Sequence, residues 1–407
     1  MRINLLEIFM AVYALTCGRC GGINLKDKGP HRQKREYRCY DCGHTTTKFE
    51  LKAVKPKTIA PFEEHQLKKQ IREATKETRE AHKQIEELKH SLGIANELTD
   101  TSLQPPEWLQ SNPASAQDAV SVAFLSDTHF DEVVDPAEIN FVNAYNRTIA
   151  ENRLRTFFNI AVDIASDPGR NLRTSGFVLP LGGDIVGGNI HEELARTNEA
   201  GIMDTVIHWS NEIAAGIEQL ADKFDRVTVP CVTGNHGRNT LKPINKGRTG
   251  DNFDYLIYRL LERHFRKDRR VSFIIPRSIA AKWNVYGHRF HLEHGDNGFR
   301  GGNGIAGIWS PIMRGDMKLR QREQAVDQEY DTLMLGHFHQ LKWGGHFIMN
   351  GSLKGIDDYA SNGKFGYEQP QQAFFMVDAK GQIVNMNSIQ VARDEDYEGV
   401  SVFEVTA

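Results

Sequence analysis

Five polar signatures, each set directly after a short apolar run, constrain this chain more than any other feature. They are Asp127-Thr128-His129, Gly183-Asp184, Gly234-Asn235-His236, His294-Gly295 and Gly336-His337-Phe338-His339. The runs that precede them are residues 120–126, 177–181, 227–233, 290–293 and 332–335, rich in β-branched and aliphatic side chains. Such runs predict buried strands. An open α/β sheet builds its sites where strands end, so the five signatures are expected to share one place.

Residue types and spacing then suggest what that place does. Asp127 and His129 are two apart, as are His337 and His339, and extended backbone turns both members of such a pair to one side. The glycines at 183, 234 and 336 leave room for sharp turns. Imidazole, carboxylate and amide oxygen suit Mn²⁺, with Fe²⁺ or Zn²⁺ as other occupants, better than Ca²⁺. Two divalent ions held by only two carboxylates, Asp127 and Asp184, leave a cationic site that attracts phosphate. Such a pair can clamp the attacking and leaving oxygens and generate hydroxide near neutral pH.

The ordered set resembles the calcineurin-like metallophosphoesterase superfamily, over roughly residues 120 to 378. That resemblance implies an α/β fold, a four-layer α/β/β/α sandwich. It implies one metal held by Asp127, His129, Asp184 and His339, and another by Asp184, Asn235, His294 and His337, with Asp184 bridging. His236 would face the substrate, stabilising phosphoryl oxygens or protonating the leaving oxygen. Residues 348–353 look like the strand and turn that close the sheet in this family. Two departures stand out. The family often has an acid after Gly-Asn-His, where this chain has Gly237. Its protein Ser/Thr phosphatases carry Asp-Arg-Gly soon after Gly-Asp, where this chain reads Ile185-Val186-Gly187-Gly188-Asn189. The pattern is more similar to the phosphodiesterase and DNA-repair nuclease branches.

Residues 1–60 read as a separate device. Cys17-x₂-Cys20 and Cys39-x₂-Cys42, with eighteen residues between the pairs, have the spacing of a Cys₄ structural zinc site. This predicts a small zinc ribbon. The fifth cysteine, Cys231, falls in an apolar run and reads as core. The ribbon holds twelve Lys/Arg against five Asp/Glu, while the whole chain carries −3. Its strip from His31 to Arg38, with Tyr37 interleaved, suits phosphates and a stacked base, and Tyr37-Arg38-Cys39-Tyr40-Asp41-Cys42-Gly43 resembles the zinc ribbons of some transposase and transcription-related proteins. A solvated face on a protein-docking ribbon is the plainer alternative.

Residues 61–98 read as a helical connector. Leu67, Ile71, Ala74, Thr78, Ala81, Ile85, Leu88 and Leu92 alternate steps of four and three, a heptad seam that predicts a coiled-coil homodimer through residues 63–92. Residues 99–119, with Pro105, Pro106 and Pro113, read as a linker, and residues 120–407 as the catalytic domain. Amphipathic patterns predict helices over 140–165, 192–221 and 252–265. Loop cations at Arg238, Lys242, Arg248 and Arg300 are candidates for gripping a phosphate backbone, and the Gly-rich stretch 298–307 for a flap. The apolar stretch 5–15 mimics a signal peptide, but Glu7 interrupts it and it is too short to span a bilayer. A soluble, cytoplasmic protein without membrane partners is expected.

Taken together, these residues predict a two-metal phosphoesterase with Asp184 and His236 central to catalysis, most naturally a phosphodiesterase or nuclease that hydrolyses DNA with a metal-bound hydroxide. The alternatives are a phosphomonoesterase or cyclic-nucleotide phosphodiesterase with a docking ribbon, or a zinc-ribbon regulator whose site is vestigial.

Overall fold

A computed structural model describes residues 13–17, 19, 25–31, 34–46, 49–53, 104–299 and 307–393. The connector and its heptad seam, Cys20, Arg300 and most of the Gly-rich stretch lie outside the described residues, and so does the Cys17 side chain. The chain divides into two units, residues 1–92 and 93–407.

In the first unit, β1 (Tyr13–Cys17) pairs antiparallel with β5 (Phe49–Ala53). Separately, β2 (Leu25–His31), β3 (Lys34–Cys39) and β4 (Thr45–Thr46) form an antiparallel meander. The expected basic strip therefore lies largely on β3. After β3 the chain turns tightly: the Cys39 N–H donates to the His44 carbonyl at 2.9 Å, and Gly43 takes φ +70°. Cys39 is buried and Cys42 exposed.

The second unit is mixed α/β with two sheets. Its elements begin with α1 (Glu107–Gln110), β6 (Asp118–Ala123), α2 (Arg147–Ser166), β7 (Arg173–Val178), α3 (Glu192–Thr197), α4 (Ile202–Phe224), β8 (Val227–Pro230), α5 (Phe253–His264) and β9 (Val271–Ile274). There follow β10 (Ala280–Val285), β11 (His288–Glu293), α6 (Trp309–Gln324), β12 (Thr332–Leu335), β13 (Lys342–Trp343), β14 (Phe347–Met349), α7 (Asp358–Asn362), β15 (Gln371–Asp378) and β16 (Ile383–Gln390). One sheet runs β16-β15-β6-β7-β8-β9 and the other β10-β11-β12-β14-β13. Strands β6 to β9 are mutually parallel, as are β11, β12 and β14.

Alternation along the strands sorts the core into layers. On β6 and just beyond it, Ala119, Ala123 and Leu125 join an apolar cluster with helices α2, α4 and α5. Val120, Val122 and Phe124 face the opposite way, into a cluster with Trp283, Phe290, Met334 and Ile348 of the other sheet. Leu333, Leu335, Phe347 and Met349, on that sheet's second face, pack with Ile312 and Leu319 of α6. Fully burying each such side chain contributes on the order of 1.5–3 kcal/mol.

Tertiary contacts override the sequence pattern in three places. The helix expected over 140–165 begins only at Arg147, because Asn140 and Phe141 take left-handed φ of 54° and 59° and Asn146 caps α2 through the Ile149 N–H. The helix expected over 192–221 is two helices with a break before Gly201. In the break, the Glu199 N–H donates to the Asp131 carbonyl and its carboxylate accepts from the Arg147 N–H. Within the expected linker, Leu109 is buried in the intersheet cluster with Trp108 packed against it. A Cβ at Gly176 would lie 2.3 Å from the Trp108 ring.

Candidate metal centre

The carboxyl ends of β6, β7 and β8 in one sheet and of β11 and β12 in the other carry the five signatures. Beyond the regular ladders, single parallel bridges continue from Leu125 to Leu181 and from Leu181 to Cys231. The loops are then stitched to each other: Asp127 N–H to the Gly183 carbonyl and His129 N–H to the Asp184 carbonyl, both 3.0 Å.

Extended backbone was expected to aim each i, i+2 pair. The structure does it otherwise. Asp127, His129, Asp184, His337 and His339 all take left-handed φ, between 46° and 69°. Non-glycine residues seldom adopt this region, and where they do the surrounding structure must enforce it. Five of the seven expected ligands are therefore held at turns that aim them inward.

The side chains converge. Asp127, His129 and His339 form one group whose ligand atoms all lie within 4.8 Å of one another, and Asp184, His294 and His337 form another. A third group, His129, Asp184 and His236, lies between them on the same criterion of 4.8 Å. His294 Nε2 is 3.0 Å from Asp184 Oδ2 and 3.2 Å from Asn235 Oδ1. His129 Nε2 is 3.1 Å from His339 Nε2, which is 3.4 Å from Asp127 Oδ1. Asp127, His129, Asp184 and His294 are fully or almost fully buried; His337 and His339 are half-buried.

The donor chemistry fits cations. His294 Nδ1–H donates to the Gly182 carbonyl at 2.8 Å, so a neutral ring would turn its Nε2 lone pair at two oxygens. Burial alone would lower His294, but Asp184 outweighs it and raises the group to about 10. Without a metal, a proton supplies the positive charge this spot demands. Burial, followed by the charges of Lys354 and His236, pushes His129 down to about 4. Burial and then His294 push His337 to about 4 as well. Both are neutral near pH 7, with lone pairs available for ligation.

His236 differs. Its backbone N–H donates to Asp184 Oδ1 at 2.7 Å and its Nδ1–H to the Gly187 carbonyl at 2.9 Å. A carbonyl can only accept, so Nε2 is the atom left for the cavity. The Gly187 carbonyl thus orients the imidazole, while Gly237 offers no side chain to do so. An acid could not sit there: a Cβ on Gly237 would be 2.5 Å from Asn252 Oδ1 and 2.8 Å from Asp254 Oδ1. Gly234 is equally constrained, since a Cβ there would lie 2.0 Å from Asp184 Oδ1.

Several supporting residues escaped the sequence reading. Asp254 is buried at the start of α5, and its carboxylate accepts from the N–H groups of Asp184 at 3.0 Å and Gly234 at 2.9 Å. Burial, then the charge of Asp184, raises it to about 7. Ser126 Oγ donates to Asp127 Oδ2 at 2.5 Å and accepts from Asn350 Nδ2 at 2.9 Å. Glu132 Oε2 lies 3.3 Å from His129 Nδ1. Lys354, wholly buried, bonds Glu132 Oε1 at 2.7 Å and also Asp357. Only the Asn-x-Asp helix start at residues 252–254 offered a sequence signal for Asp254. The others are brought in from far along the chain.

Of the expected substrate cations, Arg238 spends its guanidinium on the carbonyls of Asn235, Thr240 and Leu241. Arg248 bonds both carboxylate oxygens of Asp296 at 2.7 Å. Lys242 is exposed. Cys231 is buried as expected, its Sγ against the Val229 carbonyl.

A cavity of about 510 Å³ opens over the cluster, lined by His129, Asp184, Asn235, His236, His337 and His339 among others. That volume suits a small ligand or one unit of a polymer.

No family model matches the chain, and no curated protein does. Among solved structures, it is similar to a dimetal phosphatase from Danio rerio at 11% identity and TM-score 0.31, covering 67% of this chain and 99% of that one. It is also similar to the sulfate thiohydrolase SoxB of Thermus thermophilus at 9% identity and TM-score 0.25, covering 71% and 60% of the two chains. Likenesses this loose assign neither family nor substrate.

Proposed function

We propose that the chain is a two-metal phosphoesterase acting on phosphodiesters of nucleic acid. One observation carries the reading: six His and Asp side chains from strand ends fall into overlapping ligand groups, two of which share Asp184, with Asn235 against His294 and His236 beside Asp184. The three apolar clusters support the α/β/β/α order expected for this chemistry. Asp127, His129, Asp184 and His339 would hold one ion, and Asp184, Asn235, His294 and His337 the other. Bound there, two divalent ions would lower the pKa of a water and neutralise charge developing on phosphorus. His236, held by the Gly187 carbonyl and by its own backbone bond to Asp184, keeps Nε2 ready to move a proton at the leaving oxygen. Buried, cross-linked loops fix these groups before substrate arrives.

The same reading assigns one structural zinc to Cys17, Cys20, Cys39 and Cys42, DNA to the basic β3 strip, and a homodimer to residues 63–92. No helix among the described residues is long and apolar enough to cross a membrane.

The test is a Mn²⁺-supplemented assay of wild type, Asp184→Asn and His236→Ala on a diester, a phosphomonoester and DNA, with metal counted by mass spectrometry. We expect three bound ions in wild type, two of them Mn²⁺ at the Asp184 centre and one the ribbon zinc, fewer Mn²⁺ in Asp184→Asn, and an unchanged count in an inactive His236→Ala. Wild type without ions at the Asp184 centre, or Asp184→Asn with full turnover, refutes the proposal. Turnover confined to the monoester makes the chain a phosphomonoesterase instead.

A further inference from the structure

One wall of the cavity is unlike the rest. Tyr359, Ala360, Phe365 and Gly366 line the cavity together with the histidines. Tyr359 is 75% exposed, Phe365 53% and nearby Tyr367 57%, so three large aromatic rings face water within nine residues. Tyr359 and Phe365 lie 5.8 Å apart at an interplanar angle of 65°. An exposed pair of this kind loses apolar surface to water unless something flat covers it.

The pair is also held in place. Gly363 N–H donates to the Tyr359 carbonyl at 2.9 Å, and Phe365 N–H to the Ala360 carbonyl at 3.0 Å. Asp357 caps the short helix through the Ala360 N–H at 2.7 Å. That same carboxylate bonds Lys354, which reaches Glu132 and through it His129. The aromatic lip and a metal-ligand histidine are thus fixed to one buried ion triad.

Charge decides what the lip can take. Among the described residues lining the cavity, Lys354 supplies the lone ammonium or guanidinium, and two carboxylates already hold it. Glu193 faces the same space, as does Glu368, which has Lys342 at 3.5 Å, and the exposed Lys364 directly precedes Phe365. A phosphate backbone running along this wall would meet anions, whereas a neutral heterocycle would meet π faces. The exposed cations Lys242 and Lys246 lie on the loop after Asn235 and His236.

We propose that Tyr359 and Phe365 hold the nucleobase of the nucleotide beside the scissile phosphate, one ring stacked on its face and the other against its edge. The preferred substrate is therefore single-stranded nucleic acid, since a base inside a duplex has both faces covered by its stacked neighbours. This inference rests on the phosphodiesterase reading and names its substrate class.

The experiment uses the full-length Mn²⁺-loaded protein on a DNA single strand, on its blunt duplex, and on the strand with an abasic residue walked past the cleaved bond. One flanking abasic position should raise KM about ten-fold, and the duplex should be cut more slowly than the strand. Joint Tyr359→Ala and Phe365→Ala substitution should raise KM on the intact strand by a similar factor, and the two losses should not add on the abasic strand. Phe365→Trp, which keeps a π face, should raise KM less than Phe365→Ala does. Equal KM for intact and abasic strands, or fully additive losses, overturns the stacking while diester cleavage still stands. Turnover of a phosphomonoester with no diester cleaved overturns both.

Discussion

Lys354→Met tests whether the buried triad holds the centre together. The ammonium is wholly buried between Glu132 and Asp357, which are themselves buried. Burial would raise both carboxylates, yet the Lys354 charge holds Glu132 and Asp357 below their ordinary range. Methionine keeps most of the stem's packing but strands two buried anions. Breaking a buried pair from one side costs about 3–5 kcal/mol. For a unit of this size that lowers Tm by about 5–15 °C. The sign with pH follows. Carboxylates depressed in the fold contribute stability above their unfolded pKa, and that stability is lost as pH falls through the folded pKa. Lys354→Met should therefore be worst near neutral pH and approach wild type as acid protonates both groups. Glu132 also abuts His129, so Mn²⁺ affinity should fall about 10- to 100-fold. Thermal unfolding in EDTA from pH 4 to pH 8 and titration calorimetry with Mn²⁺ read the two effects. Adding Glu132→Gln and Asp357→Asn to Lys354→Met should restore much of the lost Tm. A Lys354→Met protein that melts within 2 °C of wild type at neutral pH refutes the reasoning.

Three further outcomes are expected. His294 holds a proton up to about 10 without metal, so loading should release about one proton and affinity should rise with pH, about ten-fold per unit between pH 6 and 8; calorimetry in buffers of different ionisation enthalpy counts the proton. Gly234→Ala places a methyl 2.0 Å from Asp184 Oδ1, so metal analysis should find fewer than two ions at the Asp184 centre, counted apart from the ribbon zinc, and turnover should drop at least 100-fold; a fully loaded, active variant would show that Asp184 tolerates displacement. Cys39→Ser should remove one zinc per chain without changing the metal content of the Asp184 centre, measured on protein purified without chelator.

Much of the centre was legible because strands and sharp turns leave local marks. Thr332 to Leu335 forms the expected strand unchanged, and all seven proposed ligands arrive at one locus. What could not be read is non-local. The pairing of Glu132 with Lys354 spans 222 residues and that of Ser126 with Asn350 spans 224, separations at which periodicity says nothing. The aim of the i, i+2 pairs was foreseen for the wrong reason, since left-handed backbone replaces strand alternation. Asp254 hid in an ordinary helix start. The late helix start at Arg147 arose from the left-handed turn at Asn140 and Phe141 and the Asn146 cap, and the break at 198–201 from the Glu199 bond to Asp131; both outweigh amphipathic pattern.

The left-handed turns bear on how this fold can change. Each holds a non-glycine residue in a region that is unfavourable by about 1–2 kcal/mol, and glycine would relieve it. At His129, His337 or His339 the substitution that relaxes the chain most is thus also one that deletes a proposed ligand. On the two-metal proposal, selection for thermal robustness alone would erode ion capture at these positions.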